Sequence, residues 1–377
     1  VEYLKIFIEN PLLFIALIFI LALMVQLFYY FYYFFRIVFY KERNINEENN
    51  NVSVIICARN EEENLKLNLP SILEQDYSNY EVIVVNDCSN DGTEDVLMQF
   101  EKKYENLRTT TIKEDKKFFH SKKLALTIGI KAASYDWLLL TDADCKAASK
   151  RWISEMQKYF SNNNSIVLGY GGYEKKKGIL NNLIRYDTLF IAIQYFAFAL
   201  ASRPYMGVGR NLAYRKSLFF KNKGFASHYN IDSGDDDLFV NEVANKKNTR
   251  VSISVDASTV SVPKEKISEW FRQKKRHMRA GIRYNRKTKR RLFFEVFSRV
   301  IFYVTFVLLL VFFKEYIYYI LGLFMLRLVV QLIVVKSAII RLNEKNLLLS
   351  SLLYDIFLPF LNFSFFVANI FRSNKWK

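Results

Sequence analysis

From Leu12 to Phe35 the chain carries no charged residue. A stretch of that length can cross the hydrocarbon of a bilayer, where the backbone has no water to bond and must satisfy itself as a helix. The aromatic run Phe28 to Tyr33 marks its interfacial end, and Arg36, Lys41 and Arg43 follow. Basic residues collect on the cytoplasmic side of spanning helices. They place this end in the cytoplasm and the amino terminus outside. There is no basic leader and no small-residue cleavage site, so the segment reads as a retained anchor rather than a removed signal peptide.

At 377 residues the chain is long enough for a soluble domain beside its membrane segments. A net charge of +17 fits either nucleic acid or an anionic membrane surface. The flanking apolar segments favour the membrane. Three cysteines, Cys57, Cys88 and Cys145, are too few for a disulfide framework and lack zinc spacing. They read as small buried residues in a reducing cytosolic domain.

After a polar linker, Glu42 to Asn51, the pattern becomes α/β. Strands are expected at 52–58, 81–87, 108–112 and 137–142, with helices at 61–75, 96–104 and 122–133. Such alternation implies a mainly parallel sheet with helices on both faces. Ile166 to Gly171 and Val251 to Val255 read as later strands. Ile179 to Ala201 reads as a buried or membrane-facing helix of the soluble part.

Lys264 to Arg291 holds thirteen lysines and arginines against Glu265 and Glu269. It is expected to lie on anionic headgroups as a basic helix. A nucleic-acid arm would need base-reading partners that are not evident, so no nucleic-acid partner is expected. Three apolar stretches follow, 296–313, 316–335 and 347–371. Asp355, Pro359 and Asn362 interrupt the last one, and Arg372, Lys375 and Lys377 follow it. The reading leans to a span there, against a re-entrant or interfacial alternative that would keep those positives inside. The expected domains are an anchor (1–40), a catalytic domain (41–263), a basic interfacial segment (264–291) and a carboxyl-terminal membrane region (292–377).

The chemistry gathers where strands end. In Leu138-Leu139-Leu140-Thr141-Asp142-Ala143-Asp144, two carboxylates arrive one residue apart at the end of a buried strand. Alternate residues of an extended chain share a side. Both can therefore face one point at the carboxyl edge of the sheet, where open α/β sheets bind ligands. Converging carboxylates suit a hard divalent cation; a charged turn is the plainer alternative. Arg59 and Glu61 follow the first strand. Asp87 ends the second, ahead of Asp91-Gly92-Thr93, where a sharp turn and a helix cap by Thr93 are expected.

In order, these motifs run VSVIICARNEE, VIVVNDCSNDGT, HSKKLALTIG, LLLTDADC, GVGRNLAYRK, SGDDDLF and QKKRH. The set resembles glycosyltransferase family 2 over roughly Val52 to Gly281. Members with anchors at both ends include ceramide glucosyltransferases and the hyaluronan, chitin and cellulose synthases.

The resemblance implies a GT-A fold, a Rossmann-like α/β domain with a mainly parallel sheet, in the cytosol. It would sit between amino- and carboxyl-terminal transmembrane helices of an integral protein of a bacterial inner membrane. It implies that Arg59, Glu61, Asp87 and Lys122 meet a nucleotide-sugar donor, UDP-linked, together with Asp142, Gln273 and Arg276. Asp144, with Asp142, would hold Mg²⁺ or Mn²⁺. Asp236 matches the general base, and Asn211, Asp235 and His277 would lie on the acceptor side. An acidic helix start is the plain alternative for Asp235-Asp236-Asp237. His120, before Ser121-Lys122, either lines the nucleotide site or sits in a surface loop.

One departure stands out: His277 occupies the place of the family's tryptophan in QxxRW. Histidine stacks less well and can titrate near neutrality. Only four candidate spans are expected, fewer than polymer synthases use to build an export channel. The expected activity is therefore a single inverting transfer to a hydroxyl of a lipid or lipid-linked glycan. A processive polysaccharide synthase using the same site, and a non-enzymatic nucleotide-sugar sensor or scaffold, stand as alternatives.

Overall fold

The computed structural model describes residues 11–42, 49–113, 121–231 and 233–370, with side chains as far as Phe365. Expectations resting on Arg43, His120, Arg372, Lys375 and Lys377 fall outside these residues.

The first helix, α1 (Pro11–Val38), is π-helical through the aromatic run Tyr29–Phe34. The α/β domain then runs β1 (Val52–Ala58), α2 (Glu62–Leu73), β2 (Tyr80–Asp87), α3 (Thr93–Lys103), β3 (Leu107–Ile112), α4 (Lys122–Ala132) and β4 (Trp137–Asp142). Next come β5 (Cys145–Ala147), α5 (Trp152–Gln157), β6 (Ile166–Leu168), β7 (Gly171–Tyr173), α6 (Ile179–Leu200), β8 (Leu212–Arg215) and α7 (Lys216–Lys221). The domain closes with α8 (Asp237–Val243), β9 (Thr249–Val251) and β10 (Thr259–Ser261). Four helices follow: α9 (Ile267–Gly281), α10 (Arg286–Phe312), α11 (Ile317–Arg341) and α12 (Leu348–Ile370).

The main sheet has the order β3-β2-β1-β4-β8-β6-β9. Strands β3, β2, β1 and β4 are mutually parallel, with Cys57 opposite Asp142 and Ala58 opposite Asn86. That register brings the ends of β1, β2 and β4 to one edge. Strand β8 runs antiparallel between β4 and β6. The near-continuous apolar runs of β1, β2 and β4 reflect burial on both faces, as parallel strands require.

The expected strand over 166–171 divides in two. Its first half joins the main sheet, and its second half joins a small sheet of order β5-β10-β7. The late strand falls at Thr249–Val251 rather than at 251–255. Strands β5, β8 and β10 escaped the sequence reading because they are only three or four residues long. The basic stretch also divides, between α9 and the first turns of α10.

Among the described residues, five helices are long and apolar enough to cross a membrane: α1, α6, α10, α11 and part of α12. Two-thirds of the α6 window is buried. It is held between the sheet, through Tyr195 Oη donating to Gly169 O, and α1, through Tyr33 stacked on Phe198. Helix α12 meets α6 through Tyr354, which donates to Ile179 O, and α9 through Phe365, which packs against Trp270 and Phe271.

Buried charges join the helices. Asp355 of α12 accepts from Arg299 of α10 (3.1 Å), Arg327 of α11 (2.8 Å) and Tyr303 of α10 (2.6 Å). Arg299 also meets Glu295 at 2.7 Å, and Arg327 donates to Gln26 of α1 at 3.0 Å. Two acids balance two guanidinium groups, which makes such burial tolerable. Asp355→Ala leaves Arg327 without its acid and takes one of two acids from Arg299. It is expected to cost about 3–5 kcal/mol, read as a lower midpoint of thermal unfolding in detergent. An unchanged midpoint would contradict this network.

Candidate active site

The loops after β1 and β2 brace each other. Glu61 N–H donates to Thr93 Oγ1 (2.9 Å) and Glu62 N–H to Asp91 Oδ2 (3.2 Å), while Gly92 N–H donates to Glu62 Oε2 (3.0 Å). Each loop thereby satisfies amides at the start of the other's helix. Thr93 was expected to cap its own helix; instead Asp91 Oδ1 accepts from Thr93 N–H, and the threonine hydroxyl serves the neighbouring loop. A Cβ at Gly92 would lie 2.6 Å from the Glu62 carboxylate, so the brace requires glycine there. Asn60 (φ 56°) and Cys88 (φ 54°) adopt the left-handed region that non-glycine residues rarely take. Each adjoins a residue that lines the cleft, Asn60 beside Arg59 and Glu61, and Cys88 beside Asp87.

That cleft has a volume of about 1460 Å³. Arg59, Glu61, Asp87, Lys122, Asp142, Asp144, Asp235, Asp236, Gln273, Arg276 and His277 all line it. Elements as distant in sequence as β1 and α9 therefore converge on one space. Asn211 does not line it. The side chain is fully buried; Oδ1 accepts from Trp152 Nε1, and Nδ2 donates to Tyr170 O and Ala257 O. The acceptor-side reading of Asn211 is therefore corrected: its polar atoms join the segments just before β7 and β10 to α5.

Its neighbour Arg210 does reach the cleft, with its guanidinium 4.2 Å from the Tyr173 ring centroid. The glycines at 207 and 209 pointed to a functional loop, but nothing local showed which residue of Arg210-Asn211 would turn outward.

Lys122 stands between two acidic groups. Its ammonium lies 2.6 Å from Asp142 Oδ1 and 3.3 Å from Asp235 Oδ2. Burial works against the lysine charge, but the two carboxylates outweigh it and hold its pKa well above the ordinary value. Asp235 gains in return. Burial opposes its charge, Lys122 overrides that, and its pKa falls.

Asp236 lacks that partner. Gly209 N–H donates to Oδ2 and Asp237 N–H to Oδ1, both at 2.7 Å. Burial and then the Asp235 charge outweigh these bonds and push its pKa up to about 6. Asp237 is deeper and accepts from Tyr284 Oη at 2.7 Å. Burial and the Asp236 charge lift it to about 8. Three consecutive aspartates thus divide into an ion pair, a carboxylate poised near neutrality and a protonated acid.

Ligand atoms of Asp142, Asp144 and Cys145 lie within 4.8 Å of one another. Burial and then the Asp142 charge raise the Asp144 pKa. The Cys145 thiol is pushed far up, chiefly by burial, and stays protonated. Two carboxylate oxygens held this close, unfavourable without a counter-charge, fit a hard divalent cation; the protonated thiol does not contribute.

Helix α9 closes over these groups. Lys274 meets Asp187 of α6 at 2.7 Å, and Gln273 Nε2 donates to Tyr173 Oη at 3.4 Å. His277 borders the cleft. Desolvation, then Arg276, Lys274 and Arg210, hold its imidazole below the ordinary value, which runs against the expectation of titration near neutrality.

A model of the family described as Glycosyl transferase family 2 matches residues 53–221. This domain belongs to that family. An uncharacterized glycosyltransferase of Haemophilus influenzae is 33% identical over 34% of this chain and 40% of its own length. A poly-beta-1,6-N-acetyl-D-glucosamine synthase of Staphylococcus epidermidis is 32% identical over 24% of this chain and 21% of its own. The chain thus matches less than half the length of these relatives. Among solved structures, a mannosyltransferase of Pyrobaculum calidifontis, in complex with GDP-Man and Mn²⁺, aligns with a TM-score of 0.58 at 20% identity. That alignment covers 89% of this chain and 100% of the other, and it shows a shared fold.

Asn211→Leu should strip the bonds to Trp152, Tyr170 and Ala257. Leaving such buried groups unpaired costs on the order of 3 kcal/mol. The expected result is a lower unfolding midpoint with nearly unchanged nucleotide affinity at low temperature; an unchanged midpoint with lost affinity would return Asn211 to the cleft.

Proposed function

We propose that this chain is a membrane-bound, inverting glycosyltransferase. It moves a sugar from a nucleotide-sugar donor, UDP-linked, to a hydroxyl of a lipid or lipid-linked glycan. One observation carries the reading. The cleft that holds the strand-edge carboxylates continues without a break to Ile191 of α6, Leu292 and Val296 of α10, and Asn362 of α12. All three helices contain candidate membrane segments. A donor in the polar part and a lipid-borne acceptor at the apolar part would meet at Asp236.

Glu61 and Asp87, at the edges of β1 and β2, suit the hydroxyl and N–H donors of a nucleoside. Lys122, Arg210 and Arg276 border the space in front of Asp142 and Asp144 and would bind the diphosphate. Asp142 and Asp144 would hold Mg²⁺ or Mn²⁺, which when bound stabilises negative charge on the departing diphosphate. Asp236 accepts the proton of the acceptor hydroxyl as that oxygen attacks the anomeric carbon. The new carbon–oxygen bond forms on the face opposite the breaking bond, whose electron pair leaves with the diphosphate. The anomeric centre inverts.

The similarity to the S. epidermidis enzyme supports the processive alternative as a second reading. Against it, the helices are joined across their interior by the paired Arg299, Arg327, Asp355 and Glu295.

Asp236→Asn should lower transfer by about 10²–10⁴-fold, the usual contribution of a general base. Asp237→Asn should retain most of it, because that acid is already uncharged. The base must be ionised, so wild-type transfer should fall as pH drops through about 6. A pH–rate profile of all three proteins checks this; full activity in Asp236→Asn would remove it from the base role. Substrate is read separately, from nucleoside diphosphate released from a panel of UDP- and GDP-sugars with native membrane lipid extract. The expected result is a UDP-sugar, loss of turnover on chelation and a product bearing one added sugar. A ladder of many sugars would favour the processive synthase, and no turnover with any donor would favour the sensor.

A further inference from the structure

A second cavity, of about 510 Å³, lies outside the catalytic cleft and shares no lining residue with it. It is bounded by the turn after α6, the end of α8 and the first turns of α10. Five cations border it: Arg203, Lys246, Arg286, Lys287 and Arg291. No lining residue is acidic. Among the described residues, none of the five side chains forms an ion pair. The cavity is therefore a concentration of like charge that folding alone leaves uncompensated.

Its geometry suits a phosphate group. Helix α10 is 27 residues long, and its amino-terminal end opens here. Asn285 Oδ1 accepts from Thr288 N–H at 2.9 Å, while the amides of Arg286 and Lys287 have no acceptor among the described residues. Arg286 and Lys287 line one space with the other three cations, together with Thr288 and Ser202. The opposite face of α10, with Lys289, Leu292 and Val296, turns to the catalytic cleft.

The depth of the cavity decides between a lipid and a soluble anion. Tyr29 Oη, within the aromatic run of α1, donates to Arg291 O at 2.7 Å. Aromatic belts lie at the headgroup level of a bilayer. The cavity thus stands where the basic end of α10 gives way to its apolar span. Basic pockets at that level between membrane helices recognise lipid phosphates. We propose that this cavity binds the phosphate headgroup of an anionic membrane lipid, at a site separate from donor and acceptor.

The test uses the full chain in neutral detergent and native mass spectrometry, with phosphatidylglycerol or phosphatidylcholine added. The expected result is selective retention of one phosphatidylglycerol. The double variant R203Q/K246Q should weaken that retention by on the order of tenfold, with UDP affinity unchanged. A charge-matched control, K247Q/R283Q, alters nearby cations that do not line the cavity and should retain the lipid as the wild type does. Equal retention of phosphatidylcholine, or an equal loss in the control, would overturn the proposal. So would displacement of the lipid by millimolar inorganic phosphate that binds delipidated protein equally well, because the site would then take free phosphate.

Discussion

Nine carboxylates line one cleft, Asp142, Asp144, Asp235, Asp236 and Asp237 among them, and the mutual repulsion of these five governs the site. Lys122 relieves part of it by bridging Asp142 and Asp235. What remains is shared unevenly. Asp235 is held ionised, Asp236 is lifted close to neutrality and Asp237 keeps its proton. This division follows from position relative to a single ammonium group and from depth of burial. Arg210 and Arg276 add positive charge on the other side of the cleft, and a divalent cation would complete the balance.

The membrane part meets the same constraint with a different solution. In the cleft, charge is left open to ligands. Between α1, α10, α11 and α12 it is closed on itself, each buried arginine matched by an acid. A closed network fixes how the helices sit against one another. Helix α6 then carries that arrangement to the sheet, because it packs on α1 through Phe198 and on the sheet through Tyr195. The cleft therefore has one polar wall built by strand ends and one apolar wall built by helices. The proposed activity, with a soluble donor and a lipid-borne acceptor, depends on that juxtaposition.

Much of the α/β domain was legible because its central strands are long and apolar. Val52–Ala58 and Trp137–Asp142 fall where they were expected, and β2 and β3 begin one residue early. A buried parallel strand needs a continuous apolar run, and its end is marked by the first polar residues. Strands of three residues carry no such run. Leu212–Arg215 and Thr259–Ser261 are strands only because neighbours from elsewhere in the chain supply their hydrogen-bond partners.

The sequence by itself determined which residues could meet at the edge of the sheet, because the period of an extended chain puts Asp142 and Asp144 on one side and parallel pairing brings Asp87 alongside. It also determined that the flanking segments must be helical, since unpaired backbone is too costly in hydrocarbon. The tertiary structure alone decided which polar side chains face the cleft and which face protein. Asn211 is satisfied by Trp152, Tyr170 and Ala257, all more than forty residues away, while adjacent Arg210 finds its stacking partner in Tyr173 at the cleft wall. It likewise decided that Asp235 rather than Asp236 forms the ion pair with Lys122. Such choices depend on distant groups converging on one point, and nothing in the local pattern of a chain encodes them.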